Sequence, residues 1–161
     1  AVVLTAGGIP LLYLGDETAT LNDYSYRQNP ATASDSRWVH RPYANWESIA
    51  KRSQPGTTQA KVYQGLRQLI NIRKQNPAFS DGDLEAFDSG NAHILSYARS
   101  NGADRVLVFV NFSERRQSIS ANLLRIYGLS YHFENLATGQ IIGLNDLELE
   151  PYAVLMLAAQ T

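Results

Sequence analysis

Residues 9–14 form a continuous apolar run, entered through Gly7, Gly8 and Pro10 and left through Gly15 into Asp16 and Glu17. An apolar run of that length without alternation predicts a strand buried on both faces, as strands of parallel sheets are. Residues 1–6 read as the end of a helix with Gly7-Gly8 as its C-cap. Residues 15–56 lose the apolar pattern and carry Asn, Asp, Ser, Pro and three tyrosines. Loops this long are functional or hold small helices of their own, and residues 45–52 read as one such helix. From Thr57 to Asn76 the period becomes helical: Val62, Tyr63, Leu66, Leu69, Ile70 and Arg73 form one stripe. Pro55-Gly56 precede it, Thr57 or Thr58 can cap it, and Asn76-Pro77 end it. Arg67, Arg73 and Lys74 lie in its second half, where positive charge suits the helix dipole. Residues 9–76 thus read as strand, long loop and helix, a single βα unit.

The pattern then shortens to β-type runs separated by turn residues: 92–98, 105–112, 130–134, 140–144, 146–150 and 153–158. Residues 105–112 are apolar on both faces, Val106, Val108 and Val110 against Leu107 and Phe109. Residues 130–134 and 140–144 are expected to pair across Ala137-Thr138-Gly139. Regularly spaced short strands predict an antiparallel sandwich. The boundary falls near residues 77–83, dividing the chain into 1–80 and 81–161. No repeat and no low-complexity tract interrupts either part.

A parallel strand needs parallel neighbours, and only eight residues precede this one. The expectation is therefore the C-terminal part of a larger enzyme. The apolar start lacks the basic segment of a signal peptide, is broken by glycine and proline, and is too short to cross a bilayer. With 161 residues, 44% hydrophobic and 18% charged, the chain can bury a core. A net charge of −1 offers no basic surplus for nucleic acid or an anionic membrane. Cysteine is absent, so disulfides, a thiol nucleophile and thiolate metal sites are excluded. His40, His93 and His132 have no metal-ligand spacing, and neither a metal nor a cofactor is expected.

Candidate chemistry concentrates in two places. Asp16 and Glu17 follow the predicted strand end, where α/β enzymes place functional groups. Adjacent side chains on an extended chain point to opposite sides, so the two cannot flank one substrate bond; the competing reading is that they accept backbone hydrogen bonds and anchor the loop. Residues 35–42, Asp-Ser-Arg-Trp-Val-His-Arg-Pro, are the densest polar cluster. Arg37 suits a bidentate pair with a carboxylate or hydrogen bonds to sugar hydroxyls, and Trp38 and Trp46 offer stacking faces; equally, Trp38 packs the loop and Arg37 is a surface group. His93 and His132 read as half-buried residues of strands. Asn111-Phe112-Ser113 matches a glycosylation sequon, which a turn after a strand explains as well.

Residues 8–17, Gly-Ile-Pro-Leu-Leu-Tyr-Leu-Gly-Asp-Glu, resemble the eighth-strand motif of the α-amylase superfamily (glycoside hydrolase family 13). Residues 69–78 resemble its last barrel helix, and residues 107–113 a strand of its C-terminal β-domain. Residues 14–17 with 20–23, and residues 35–42, narrow the resemblance to amylosucrases and the related sucrose hydrolases. The resemblance implies an α+β piece: the last βα unit of a (β/α)8 TIM barrel followed by an antiparallel β-sandwich. It implies a parent that moves glucose from sucrose onto α-1,4-glucan by a retaining mechanism and releases fructose. The implied partners are sucrose, α-glucan and the rest of the catalytic barrel. The catalytic carboxylates of that family lie on earlier strands, so no catalytic residue carries over and the piece is expected to be inactive alone. Arg37 carries over as a substrate-binding residue, closing the pocket through an ion pair with an Asp of an early loop; without that loop it is expected to be unpaired. Bacterial cytoplasm and secretion both remain open. Hydrolysis or isomerisation of sucrose, and a stand-alone carbohydrate-binding module without catalysis, are the alternatives.

Overall fold

The computed structural model describes residues 1–160. The chain separates into two compact units, residues 1–10 with 68–161, and residues 11–67.

The larger unit is built on a six-stranded antiparallel sheet in the order β1-β2-β3-β8-β5-β6. Its strands are β1 (Asp83–Ala86), β2 (Ile94–Asn101), β3 (Asp104–Asn111), β5 (His132–Asn135), β6 (Ile141–Gly143) and β8 (Val154–Gln160). β4 (Gln117–Ile119) and β7 (Leu147–Leu149) pair as a separate two-stranded ribbon. The alternation expected in residues 105–112 sorts the core. Leu107 and Phe109 join Leu155, Leu157, Phe133, Leu124, Ile119 and Leu149 in one cluster. Val106, Val108 and Val110 join Met156, Tyr97, Ile72, Ala78 and Phe79 in the other. β3 is therefore the central strand, buried on both faces, and its register with β8 sets Val108 against Met156 and Phe109 against Leu155. The hairpin across residues 136–140 forms as expected, with Phe133 opposite Ile142.

The two faces are covered differently, which corrects the sandwich expectation. One face carries the ribbon together with α5 (Ala121–Gly128). The other carries helical residues: Ile72 of α3 (Thr58–Gln75), and Ala78 and Phe79 of α4 (Pro77–Asp81). α1 (Val2–Thr5) adds Val2 to this side, and its Thr5 hydroxyl meets the Tyr97 hydroxyl at 2.6 Å. Burial raises the Tyr97 pKa above the usual tyrosine value. Because Ile72, Ala78 and Phe79 share a core with β3, the compact unit reaches back to Gln68. The sequence division at residues 80 and 81 is a different cut through the same region.

β1, β4, α4 and α5 have no counterpart in the sequence pattern. α5 is short, and its start depends on distant groups: Ser120 Oγ accepts from the Asn122 amide at 3.2 Å and Asp146 Oδ1 from the Ala121 amide at 2.7 Å. α3 matches its expected span to within a residue, and Thr57 caps it by accepting from the Ala60 amide. The most buried residues of α3 are Ala60 and Ile72, neither of them in the predicted stripe.

Residues 9–14 do not form a strand. Ile9 is 98% exposed and Leu11 83%. A strand exists only through hydrogen bonds to a neighbour, and none of the described strands runs beside this segment. The βα unit accordingly appears only as its loop and helix. His93 and His132 are both exposed, and His93 sits in a turn before β2 rather than in a strand; the half-buried expectation is corrected for both.

Candidate functional site

Residues 11–67 hold the polar clusters. The first is a turn closed by its own carboxylates. Asp16 Oδ2 accepts from the Tyr13 amide at 3.1 Å and Glu17 Oε2 from the Gly15 amide at 2.8 Å. Both acids therefore anchor the loop, as the second of the two sequence readings had it. Gly15 adopts φ +103°, and a Cβ there would lie 2.9 Å from Thr20 Oγ1, so the turn requires glycine on both counts.

The second cluster is joined to the segment at residues 22–23. The Asp23 amide donates to the Val39 carbonyl at 2.9 Å, and His40 Nδ1 lies 3.1 Å from Asn22 Oδ1. Between them runs a single-turn 3-10 helix, Ser36–His40, capped by Asp35. Asp35 Oδ1 accepts from the Arg37 amide at 3.0 Å and from Arg37 Nε at 2.9 Å, while Nη2 donates to Oδ2 at 2.8 Å. Arg37 is thus paired, contrary to expectation, with a carboxylate two residues before it. The fork geometry of guanidinium and carboxylate explains the choice. Hydrogen bonds from Arg37 lower the Asp35 pKa to about 2. The Arg37 side chain nevertheless remains 72% exposed.

A cavity of about 360 Å³ opens in this unit, with Tyr13, Glu17, His40, Arg41, Tyr43 and Trp46 on its walls. Asn45 positions Trp46 by capping α2 (Trp46–Ala50), accepting from the Ser48 amide at 3.0 Å. The structure therefore gathers His40, Arg41 and Trp46 at one site but leaves Arg37 and Trp38 off its walls. Tyr43 was missed: it belongs to no motif, and only its position beside Pro42 and Asn45, between a turn and a cap, hinted at a fixed aromatic. Aromatic faces with a few polar groups are the usual lining of a small-molecule site. Glu17 is the single carboxylate on the walls among the described residues, whereas retaining glycoside cleavage uses two carboxyl groups about 5–5.5 Å apart. The arrangement can bind and orient a polar ligand; it holds no acid–nucleophile pair. Among the described residues no three His, Cys, Asp or Glu side chains come together as a metal site. The sequon is occupied internally: Asn111 Nδ2 donates to the carbonyls of Arg115 and Glu150 at 2.7 and 2.9 Å.

No family model matches the chain. It is 23% identical to a glucosylglycerate phosphorylase of Escherichia coli (strain K12), over 98% of this chain and 27% of that protein. It is 26% identical to a trehalose synthase of Pimelobacter sp. (strain R48), over 80% of this chain and 26% of that protein. The chain thus spans about a quarter of the length of these curated relatives. Among solved structures, the trehalulose synthase from Pseudomonas mesoacidophila MX-45 superposes with a TM-score of 0.66 at 21% identity, covering 99% of this chain and 37% of that one. AmyP in complex with maltose gives 0.56 at 19% identity, over 64% of this chain and 21% of that one. The class that emerges is an α+β chain whose fold recurs in sugar-processing enzymes, each curated relative being named for work on a glucose-containing compound.

Proposed function

We propose that this chain is the C-terminal part of an α-amylase superfamily enzyme of the amylosucrase type, which moves glucose from sucrose onto α-1,4-glucan and releases fructose. In this reading residues 1–80 complete a (β/α)8 barrel and residues 81–161 are its β-domain. Residues 9–14 become a strand when barrel strands stand beside them, which accounts for their apolar side chains being open to water here. The catalytic carboxylates belong to the rest of the barrel, and this chain alone is inactive.

The observation that carries the reading is Arg37: a guanidinium held by three hydrogen bonds to one carboxylate yet 72% exposed. Pairing costs an exposed side chain rotamer freedom; in this reading that cost preorganises the guanidinium as a donor. Among the described residues Asp35 is its one ion-pair partner, so the remaining guanidinium nitrogen is available to a sugar hydroxyl or to a carboxylate of the barrel. Sucrose as donor is supported by a trehalulose synthase structure described as a complex with the substrate sucrose.

The test is fructose release from sucrose by the intact enzyme, wild type against Arg37→Ala. Loss of the Arg37 contact is expected to lower kcat/KM about tenfold or more. Unchanged fructose release by the variant rejects the assignment of Arg37. Product analysis separates transfer (glucan) from hydrolysis (free glucose) and from isomerisation. The aromatic walls of the 360 Å³ cavity favour one second reading, a carbohydrate-binding module that acts without catalysis. It predicts heat on calorimetric titration of this chain with maltooligosaccharides, and no heat at millimolar sugar rejects it.

A further inference from the structure

We propose that the cavity within residues 11–67 takes a sugar that carries one anionic group, a phosphate or a carboxylate, with Arg41 and Arg52 receiving the anion and Tyr43 and Trp46 the ring. The proposal deepens the reading of this cavity as a sugar-binding site and rests on it.

Every wall of the cavity comes from this one unit. Trp46, Ile49 and Arg52 follow at intervals of three along α2 and the 3-10 turn Lys51–Ser53 that continues it, so they share one side of that stretch. The Thr57 hydroxyl fixes the turn by donating to the Lys51 carbonyl at 2.8 Å. Arg52 is steadied from behind, its guanidinium carbon 5.5 Å from the centre of the Tyr63 ring. Arg41 closes the 3-10 helix Ser36–His40, its amide donating to the Trp38 carbonyl at 3.1 Å. Tyr43 and Trp46 are 91% and 76% exposed, so their faces stand open to a ligand. Small-molecule sites run upward from about 300 Å³, and 360 Å³ suits a ligand of about one sugar ring.

Charge decides which sugar. The walls carry two guanidinium groups against one carboxylate, and Glu17 already spends Oε2 on the Gly15 amide. Among the described residues neither Arg41 nor Arg52 has an ion-pair partner or donates a side-chain hydrogen bond. Asp35 lies near enough for Arg41 to favour its charged form, but both its oxygens are bonded to Arg37. A ligand that fills the cavity displaces water from the two arginines. A neutral sugar leaves their charge uncompensated, whereas a phosphate or carboxylate replaces the lost water with charge-assisted hydrogen bonds. The free oxygen of Glu17 is then left to accept from a sugar hydroxyl.

The experiment is calorimetric titration of this 161-residue chain with glucose 1-phosphate, glucose 6-phosphate, glucuronate, glucose, inorganic phosphate and maltooligosaccharides. At least one of the three anionic sugars is expected to bind about tenfold or more tighter than both glucose and inorganic phosphate, and which one does so identifies the anionic group. Arg41→Gln and Arg52→Gln are each expected to weaken that binding about tenfold. Arg27→Gln removes an exposed charge of the same unit away from the walls and is expected to change it less than twofold. Equal weakening by all three variants assigns the effect to overall charge and overturns the proposal, as does no heat from any anionic sugar. Heat from glucose or maltooligosaccharides without preference for the anionic sugars also overturns it, while the sugar site itself stands. Inorganic phosphate binding as tightly as any sugar overturns both.

Discussion

Replacing Asn111 with alanine tests whether the apparent sequon is a structural device. The side chain is 1% exposed. Its Nδ2 reaches the carbonyls of Arg115, Glu150 and Leu149 at 2.7, 2.9 and 3.2 Å, and its Oδ1 accepts from the Ser113 amide and hydroxyl at 2.9 and 2.7 Å. One amide thus ties the end of β3 to the turn after it and to the end of β7. Nδ2 has two hydrogens, so two donated and two accepted bonds are lost. At about 1 kcal/mol each the sum is about 4 kcal/mol. Partial hydration of the freed carbonyls returns some of it, leaving roughly 2–4 kcal/mol. For a chain of this size that lowers Tm by about 5–15 °C. Asn111→Asp adds a sign. It keeps the acceptor for Ser113 but sets a carboxylate against three carbonyls, which raises the folded-state pKa above the unfolded value of about 3.9. Its destabilisation is therefore smallest below that pH and grows as pH rises through the folded pKa. Urea unfolding followed by circular dichroism at pH 3.5 and 7 measures both variants. A loss below about 0.5 kcal/mol for Asn111→Ala refutes the accounting, because it places the residue among ordinary surface substitutions.

Other outcomes follow from the same geometry. Asp35, its pKa lowered to about 2 by Arg37, keeps its pairing fully above the ordinary carboxylate value and loses it as pH falls through about 2; a carboxyl midpoint near 3.9 by NMR would contradict the pair. Amides of residues 9–56 are expected to exchange far faster than those of β3, and equal protection would mean that residues 9–14 have found a sheet to join. Gly128→Ala places a Cβ against the Phe133 ring and the Leu107 side chain, and should cost about 1–3 kcal/mol by overpacking; a stabilised variant would show that the ring moves freely.

The elements legible in the sequence are those whose cause is local. α3 carries its period, its Thr57 cap and its Pro77 stop in adjacent residues, and its helix forms where they predict. β3 and its two-faced apolar pattern are equally plain, because a central strand is buried on both sides whatever covers it. The hairpin over residues 132–143 is marked by Thr138-Gly139 at its tip. The anchoring role of Asp16 and Glu17 was available as a turn argument before any fold was known.

Other features were decided by groups far apart in sequence. Residues 9–14 have the composition of a buried strand, yet a strand is a relation between segments, and with no neighbour the run forms none and stays open to water. α5 starts where Asp146 reaches the Ala121 amide, a contact across 25 residues that no window around residue 121 contains. Arg73 looked like a helix-end charge and Arg99 lay just past the run 92–98; only folding brings the carbonyls of Leu4, Ala6 and Gly8 to them. Asn111 reads as a sequon in three residues and as a cross-brace only when Leu149 and Glu150 arrive beside it. The sequence by itself thus determined period, turns, caps and the chemistry available at each position, because those depend on neighbours along the chain. Which polar groups meet, and which apolar runs are covered, was decided by tertiary structure, because hydrogen bonding and burial depend on neighbours in space.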